Sequence, residues 1–185
     1  NNDLDYTDTT ALILNGGFIS DVSGNNASLN LIPPGSTGSL SANKNLVIDG
    51  AAPVISSVTS STLDSTYIVG DTIAINIVFS EIITVTGAPT LTLETGQDDA
   101  VLYYNSGTGT SALGFEYIVA SGHLSSDLNY IDSSAFSLNG GTVRDVASND
   151  AELFLPSVDS TNSLAGNKAI VIDGVVPIKN SVSSN

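Results

Sequence analysis

The chain has no cysteine, no methionine and no tryptophan, and it has one histidine. Without cysteine there is no disulfide, no thiolate nucleophile and no Cys-based zinc site. The single histidine, His123, lies in the polar stretch ASGHLSSD and reads as a solvated loop residue rather than a general base. No Ser-His-Asp set can be built around it. No glycine-rich phosphate loop opens a helix. Without tryptophan, a sugar-cleaving cleft lacks its usual aromatic platform. The expectation is a non-enzymatic protein. Basic residues are also scarce: four Lys and Arg stand against nineteen Asp and Glu, a formal net charge of −15. Nucleic acid is excluded as a partner, because phosphate binding is built from Lys and Arg. Anionic membrane surfaces are disfavoured for the same reason. No apolar run approaches the ~18 residues of a spanning helix, so membrane insertion is not expected.

What is present is repetition. NKNLVIDGAAPVISSV at 43–58 returns as NKAIVIDGVVPIKNSV at 167–182, and Asp49 and Asp173 stand 124 residues apart. The same offset aligns Asn15-Gly16-Gly17 with Asn139-Gly140-Gly141, Asp21-Val22 with Asp145-Val146, and Pro53 with Pro177. Residues 3–61 lie over 127–185 without a gap, with about half the pairs identical, which marks a tandem duplication. A period of this size suits a whole domain. VIDG followed by two small or apolar residues and a proline reads as a last strand entering a linker, since proline cannot donate to a ladder. The expected organisation is the C-terminal half of a preceding repeat at 1–50, a complete repeat at 51–174, and the first strand of the next repeat at 175–185.

The apolar blocks are short, β-branched and bounded by Gly, Ser, Asn, Asp and Pro, which predicts strands. TIAINIVFSE at 72–81 alternates Ile73, Ile75, Ile77 and Phe79 inward, and TLTLET at 90–95 alternates Leu91 and Leu93. Residues 100–122 read as two strands around a Gly/Ser/Thr turn. FSLNGGTVRD, ELFLP at 152–156, KAIVID at 168–173 and VISSV at 54–58 supply further strands. No segment carries a 3.6-residue period over ten residues. The fold class is all-β, with about seven to nine strands per complete repeat, consistent with an immunoglobulin-like β-sandwich.

GDTIAINIVFSE, GAPTLTLETG, LNGGTVRDVASND and NKAIVIDGVVP resemble the bacterial immunoglobulin-like or cadherin-like tandem repeats of giant surface adhesins and related exported array proteins. The D-x-A-G-N loop usual in such repeats stands here as Asp145-Val146-Ala147-Ser148-Asn149 and as Asp21-Val22-Ser23-Gly24-Asn25, each differing at one position. The resemblance implies an extracellular or cell-surface location. The absence of cysteine fits large exported bacterial proteins.

The acidity points to a hard cation, since Ca²⁺ takes six to eight oxygens from Asp, Glu, Asn and backbone carbonyls. In a sandwich the strand from 72 carries Glu81 to the pole where the linker from the preceding repeat arrives. The loop 145–150 lies at the same pole. Asp49, Glu81, Asp145, Asn149 and Asp150 are therefore the candidate ligands of one junction. Asp21 and Asn25 hold the matching loop positions in the partial repeat, and Asp173 approaches the following junction. The plain alternatives are that Asp145 and Asp21 only cap turns through their side chains, that Asp49 and Asp173 merely end strands, and that Glu81 is solvated. Asp98-Asp99 reads as a solvated pair, and Asp71, after Gly70, as a turn residue.

The expected function is a spacer in a secreted or surface adhesin, with neighbouring repeats of the same chain as partners and Ca²⁺ rigidifying the joints. One alternative is self-association into an extracellular filament or matrix in which partial repeats complete one another. Another is a carbohydrate-binding module using Tyr67, Tyr103, Tyr104, Tyr117 or Tyr130, although Tyr103 and Tyr117 are expected to pack on the sheets.

Overall fold

A computed structural model describes residues 3–177. The chain divides into two compact units, Asn1–Gly50 and Ala51–Asn185. Eleven strands occur among the described residues, all of them in the second unit: β1 (Ile55–Ser60), β2 (Ser65–Ile68), β3 (Thr72–Thr86), β4 (Thr90–Glu94), β5 (Ala100–Ser106), β6 (Thr110–Ile118), β7 (Leu124–Ser125), β8 (Asn129–Tyr130), β9 (Phe136–Ser137), β10 (Thr142–Arg144) and β11 (Ile170–Asp173). The protein is all-β apart from two four-residue helical turns, α1 (Leu40–Asn43) and α2 (Leu164–Asn167). Neither turn is long enough to show a helical period. Each is announced only by a serine N-cap, Ser39 or Ser163, whose hydroxyl accepts from the backbone three residues on.

One sheet of the second unit runs β1-β3-β6-β5-β4-β8, with β10 pairing with β3 and β9 with β4, and a second sheet runs β2-β11-β7. All pairs are antiparallel except β11 with β2. The alternation read from the sequence is what fills the core. Ile73, Ile75, Ile77, Phe79, Leu91 and Leu93 are all buried. They pack with Leu113, Phe115 and Tyr117 from β6 and with Ile170 and Ile172 from β11. Phe115 and Phe136 meet edge-to-face with centroids 6.2 Å apart, joining β6 to β9 across the core.

Four expectations need correction. The strand expected to end at Glu81 continues to Thr86 through a register shift between Val78 and Ile83, where β3 leaves β6 and takes up β10. The segment 152–156 forms no strand, although Leu155 is buried and Glu152 donates from its backbone to Pro53. Tyr103 is exposed rather than packed, whereas Tyr117 is buried. Of the strand expected at 175–185, residues 175–177 carry none, and the rest lies outside the described residues.

The back half of the repeat pairs only with the front. β8 and β9 pair with β4, β10 pairs with β3, and β11 pairs with β2 and β7. No ladder joins any two of β8–β11 among the described residues. The first unit corresponds to this back half, and among its described residues contains only α1 and an isolated bridge between Ser20 and Asn26. Its local geometry nevertheless matches the second unit. Asn15 and Asn139 both take positive φ, 45° and 48°, and the backbone N–H of Gly17 and that of Gly141 each reach a Leu carbonyl at 2.8 Å. The hydroxyls of Tyr6 and Tyr130 donate to the carbonyls of the equivalent residues Ile32 and Pro156. Turns and caps are thus written locally, while the strands require a partner.

Candidate metal centre

The loop after β10 is built by its own first residue. The carboxylate of Asp145 accepts from the Asn149 backbone N–H at 2.8 Å and from Asn149 Nδ2 at 2.7 Å, and the Asp145 N–H donates to the Asn149 carbonyl at 3.1 Å. Asp21 and Asn25 repeat all three bonds, at 2.9, 2.8 and 3.0 Å. The tip of the loop turns through positive φ at Gly24 (87°) and at Ser148 (74°). The departures from the usual loop spelling therefore leave its shape unchanged. Since the exposed Asp21 loop closes in the same way, closure is intrinsic to an Asp facing an Asn four residues on.

The two loops differ in surroundings. Asp145 is 4% exposed, whereas Asp21 is open to solvent. Burial pushes the Asp145 carboxyl up. The Asn149 side chain and the backbone N–H groups of Asn149, Ala147 and Ser148 outweigh it and hold the group below its ordinary value of 3.8. It is a carboxylate at neutral pH. For Asp21 the Asn25 side chain leads the same lowering.

Pairing of β10 with β3 sets Arg144 opposite Thr84 and brings the next residue, Asp145, to the register shift in β3. Glu81 emerges there. The inward alternation of β3 runs Phe79, Glu81, Ile83, so the half-buried Glu81 stands in a row of core residues. A carboxylate oxygen of Glu81 lies within 4.8 Å of one of Asp145. Two like charges so placed, one of them buried, favour a cation. The carboxylate of Asp145 offers about four acceptor positions, so its bonds to Asn149 leave capacity for an ion. The donor set is hard oxygen, as Ca²⁺ requires.

Asn149 also ties the loop to the start of the unit, because its Nδ2 donates to the carbonyl of Ala51 at 3.2 Å. Asp49 stands two residues before Ala51 in the chain. Glu81 and Asp145 both lie in the second unit and could share a metal ion, whereas Asp49, the third expected ligand, belongs to the first unit.

The remaining candidates lie otherwise. Asp150 forms an ion pair with Arg144 at 2.6 Å. Asp173 ends β11, opposite Ile68 and Leu124, and accepts from the N–H of Val175. Asp71 shapes its turn by accepting from the N–H of Ile68 at 2.9 Å. His123 is not solvated. It is half-buried and stacked on Tyr117, with Nδ1 2.9 Å from the phenol oxygen. The inward position of Glu81 was missed in the sequence, although continuing the alternation from Ile73 by twos reaches it. The chain matches no protein-family model, no curated protein and no solved structure.

Proposed function

We propose that this chain is a non-enzymatic structural repeat, a spacer of a large secreted or cell-surface bacterial adhesin built from immunoglobulin-like sandwiches and stiffened by Ca²⁺ at its joints. The observation that carries the reading is the approach of Glu81, from an inward position of β3, to the buried carboxylate of Asp145. The internal duplication supports a tandem array. Asp145 is held as a charged, oriented oxygen donor by Asn149, and Glu81 supplies the second donor from a rigid strand. Asp49, two residues before Ala51 in the chain, is the expected donor from the linker. A bound divalent ion would supply the positive charge that lets the carboxylates of Glu81 and Asp145 stand together. An ion that stiffens each repeat where its linker enters gives a tandem array its reach. The filament and carbohydrate readings rest on less: the unpaired half repeat for the first, and the exposed Tyr103 for the second.

Thermal unfolding in EGTA and in about 10 mM Ca²⁺ tests the proposal. Extracellular modules bind with Kd of order 10⁻⁴–10⁻³ M, so the second unit gains about 1.4–2.7 kcal/mol. Glu81→Gln removes most of that gain. An unchanged melting curve on adding Ca²⁺, with Glu81→Gln indistinguishable from the parent, overturns the assignment.

A further inference from the structure

The outer face of the larger sheet carries a hollow across β3, β6 and β5. Along β5, Ala100 and Leu102 are buried, and Tyr104 packs edge-to-face on Phe115 of β6. Tyr104 pairs with Phe115 and Ser106 with Gly114, so Asn105 is an extra residue bulged between them. A bulge re-aims a side chain. The Asn105 amide turns to Glu116 of β6, donating from Nδ2 to Oε2 at 3.2 Å. On the other side of β6, Asn76 and Ala74 of β3 stand opposite Gly114 and Glu116.

Gly114 is the floor. A Cβ there would stand 2.5 Å from the Ser106 hydroxyl oxygen and 3.8 Å from Asn76 Oδ1. Without one, a hollow of about 240 Å³ opens among Asn76, Asn105, Ser106 and Glu116. The half-buried Asn76 amide has no protein partner among the described residues, and Glu116 is the one charge in the lining. Beside the hollow the face turns apolar. Val101, Tyr103 and Ile118 are exposed, and Tyr103 and Glu116 flank the Tyr104–Phe115 pair.

Two amides, a hydroxyl and a carboxylate supply donors and acceptors for the hydroxyl groups of a sugar ring. An exposed tyrosine presents its π face to the C–H side of such a ring. The volume suits one pyranose rather than a drug-sized ligand. Charge selects among sugars: a lining charged only by Glu116, on a chain of net charge −15, repels uronates and sulfated glycans. We infer that this hollow is a subsite for a single neutral pyranose, with Tyr103 as its platform and Asn76, Asn105 and Glu116 as its polar contacts. It lies wholly within the second unit and needs no metal, so it stands or falls apart from the calcium reading.

The test is an amide NMR titration of the full chain in EGTA with the methyl β-glycosides of glucose, galactose, mannose and N-acetylglucosamine. At least one is expected to shift the amides of Asn76, Asn105, Ser106 and Gly114 with a Kd on the order of 1–10 mM, as befits a single ring. Tyr103→Ala, at an exposed position, and Gly114→Ala, whose methyl displaces only the Ser106 hydroxyl, are each expected to weaken binding by about tenfold. Unmoved amide signals at Ile170–Asp173 report that each variant keeps its fold. No shift from any of these glycosides at about 100 mM overturns the proposal. So does binding that keeps its full strength in Tyr103→Ala, and so do shifts of equal size from the methyl glucuronide.

Discussion

Ile48 and Ile172 occupy the same place in two copies of one motif, VIDG, yet Ile172 is fully buried and Ile48 is 60% exposed. Identical residues thus carry different weights. Ile172→Ala leaves a cavity in the core and is expected to cost about 2–5 kcal/mol. Ile48→Ala is expected to change stability by no more than about 0.5 kcal/mol. Urea denaturation of the second unit followed by tyrosine fluorescence checks the pair.

The Asp145 loop gives the protein an acid limb. Its folded-state pKa is depressed, so its contribution is present above the ordinary value of 3.8 and lost as pH falls through the lower folded value. Stability is expected to decline below about pH 4. Asp145→Asn removes part of that decline while lowering stability at neutral pH. Denaturant midpoints between pH 2 and 7 measure both effects.

Two tyrosines give an alkaline limb. Burial pushes Tyr117 and Tyr130 up to about 12, and both hydroxyls are engaged, with His123 and with the Pro156 carbonyl. The unfolded chain loses these protons near pH 10. Stability therefore falls as pH rises from about 10 to 12. Spectrophotometric titration should show Tyr117 and Tyr130 ionising late, with Tyr6 also raised by burial and the Asp5 charge, and one late phenol fewer in Tyr117→Phe.

Ser148 holds a φ of 74° where the other copy uses glycine. A left-handed conformation is costly with a side chain and free for glycine, so Ser148→Gly is expected to stabilise the second unit by about 1 kcal/mol or less. The reciprocal Gly24→Ser should leave the second unit unchanged. Thermal melts of the two variants decide.

Gly141 faces a different constraint. A Cβ there would stand 2.1 Å from the Thr86 carbonyl oxygen, because β10 starts against the end of β3. Gly141→Ala is expected to cost about 1–3 kcal/mol by forcing the strands apart. At the equivalent Gly17 the nearest atom is 3.2 Å away and belongs to its own turn, so Gly17→Ala leaves the stability of the second unit where it was. Denaturant midpoints of the two alanine variants check the contrast.

Much of this was readable in the residues. The strand alternation of 72–79 and 90–93 places the core correctly, and the Asp-to-Asn loop spacing carries its own geometry. What escaped reading depends on partners distant in sequence. Two-residue strands such as β8 and β9 exist only because β4 is there to pair with them. The α turns are too short for any period. Glu81 looks like a strand end because a charge interrupts Phe79 and Ile83, and only the pairing of β10 shows that the strand continues past it. Asp150 is expected among the ligands because it shares the loop 145–150, and its pairing with Arg144 is not visible in that spacing.

The parallel register of β11 with β2 has a mechanical meaning. Ile170–Asp173 runs alongside Ser65–Ile68 in the same direction, one near the end of the repeat and the other near its start. Tension applied through the two ends slides these strands lengthwise against each other. The ladder bonds are then loaded together in shear rather than peeled open one at a time, so a stretched repeat gives way abruptly or not at all.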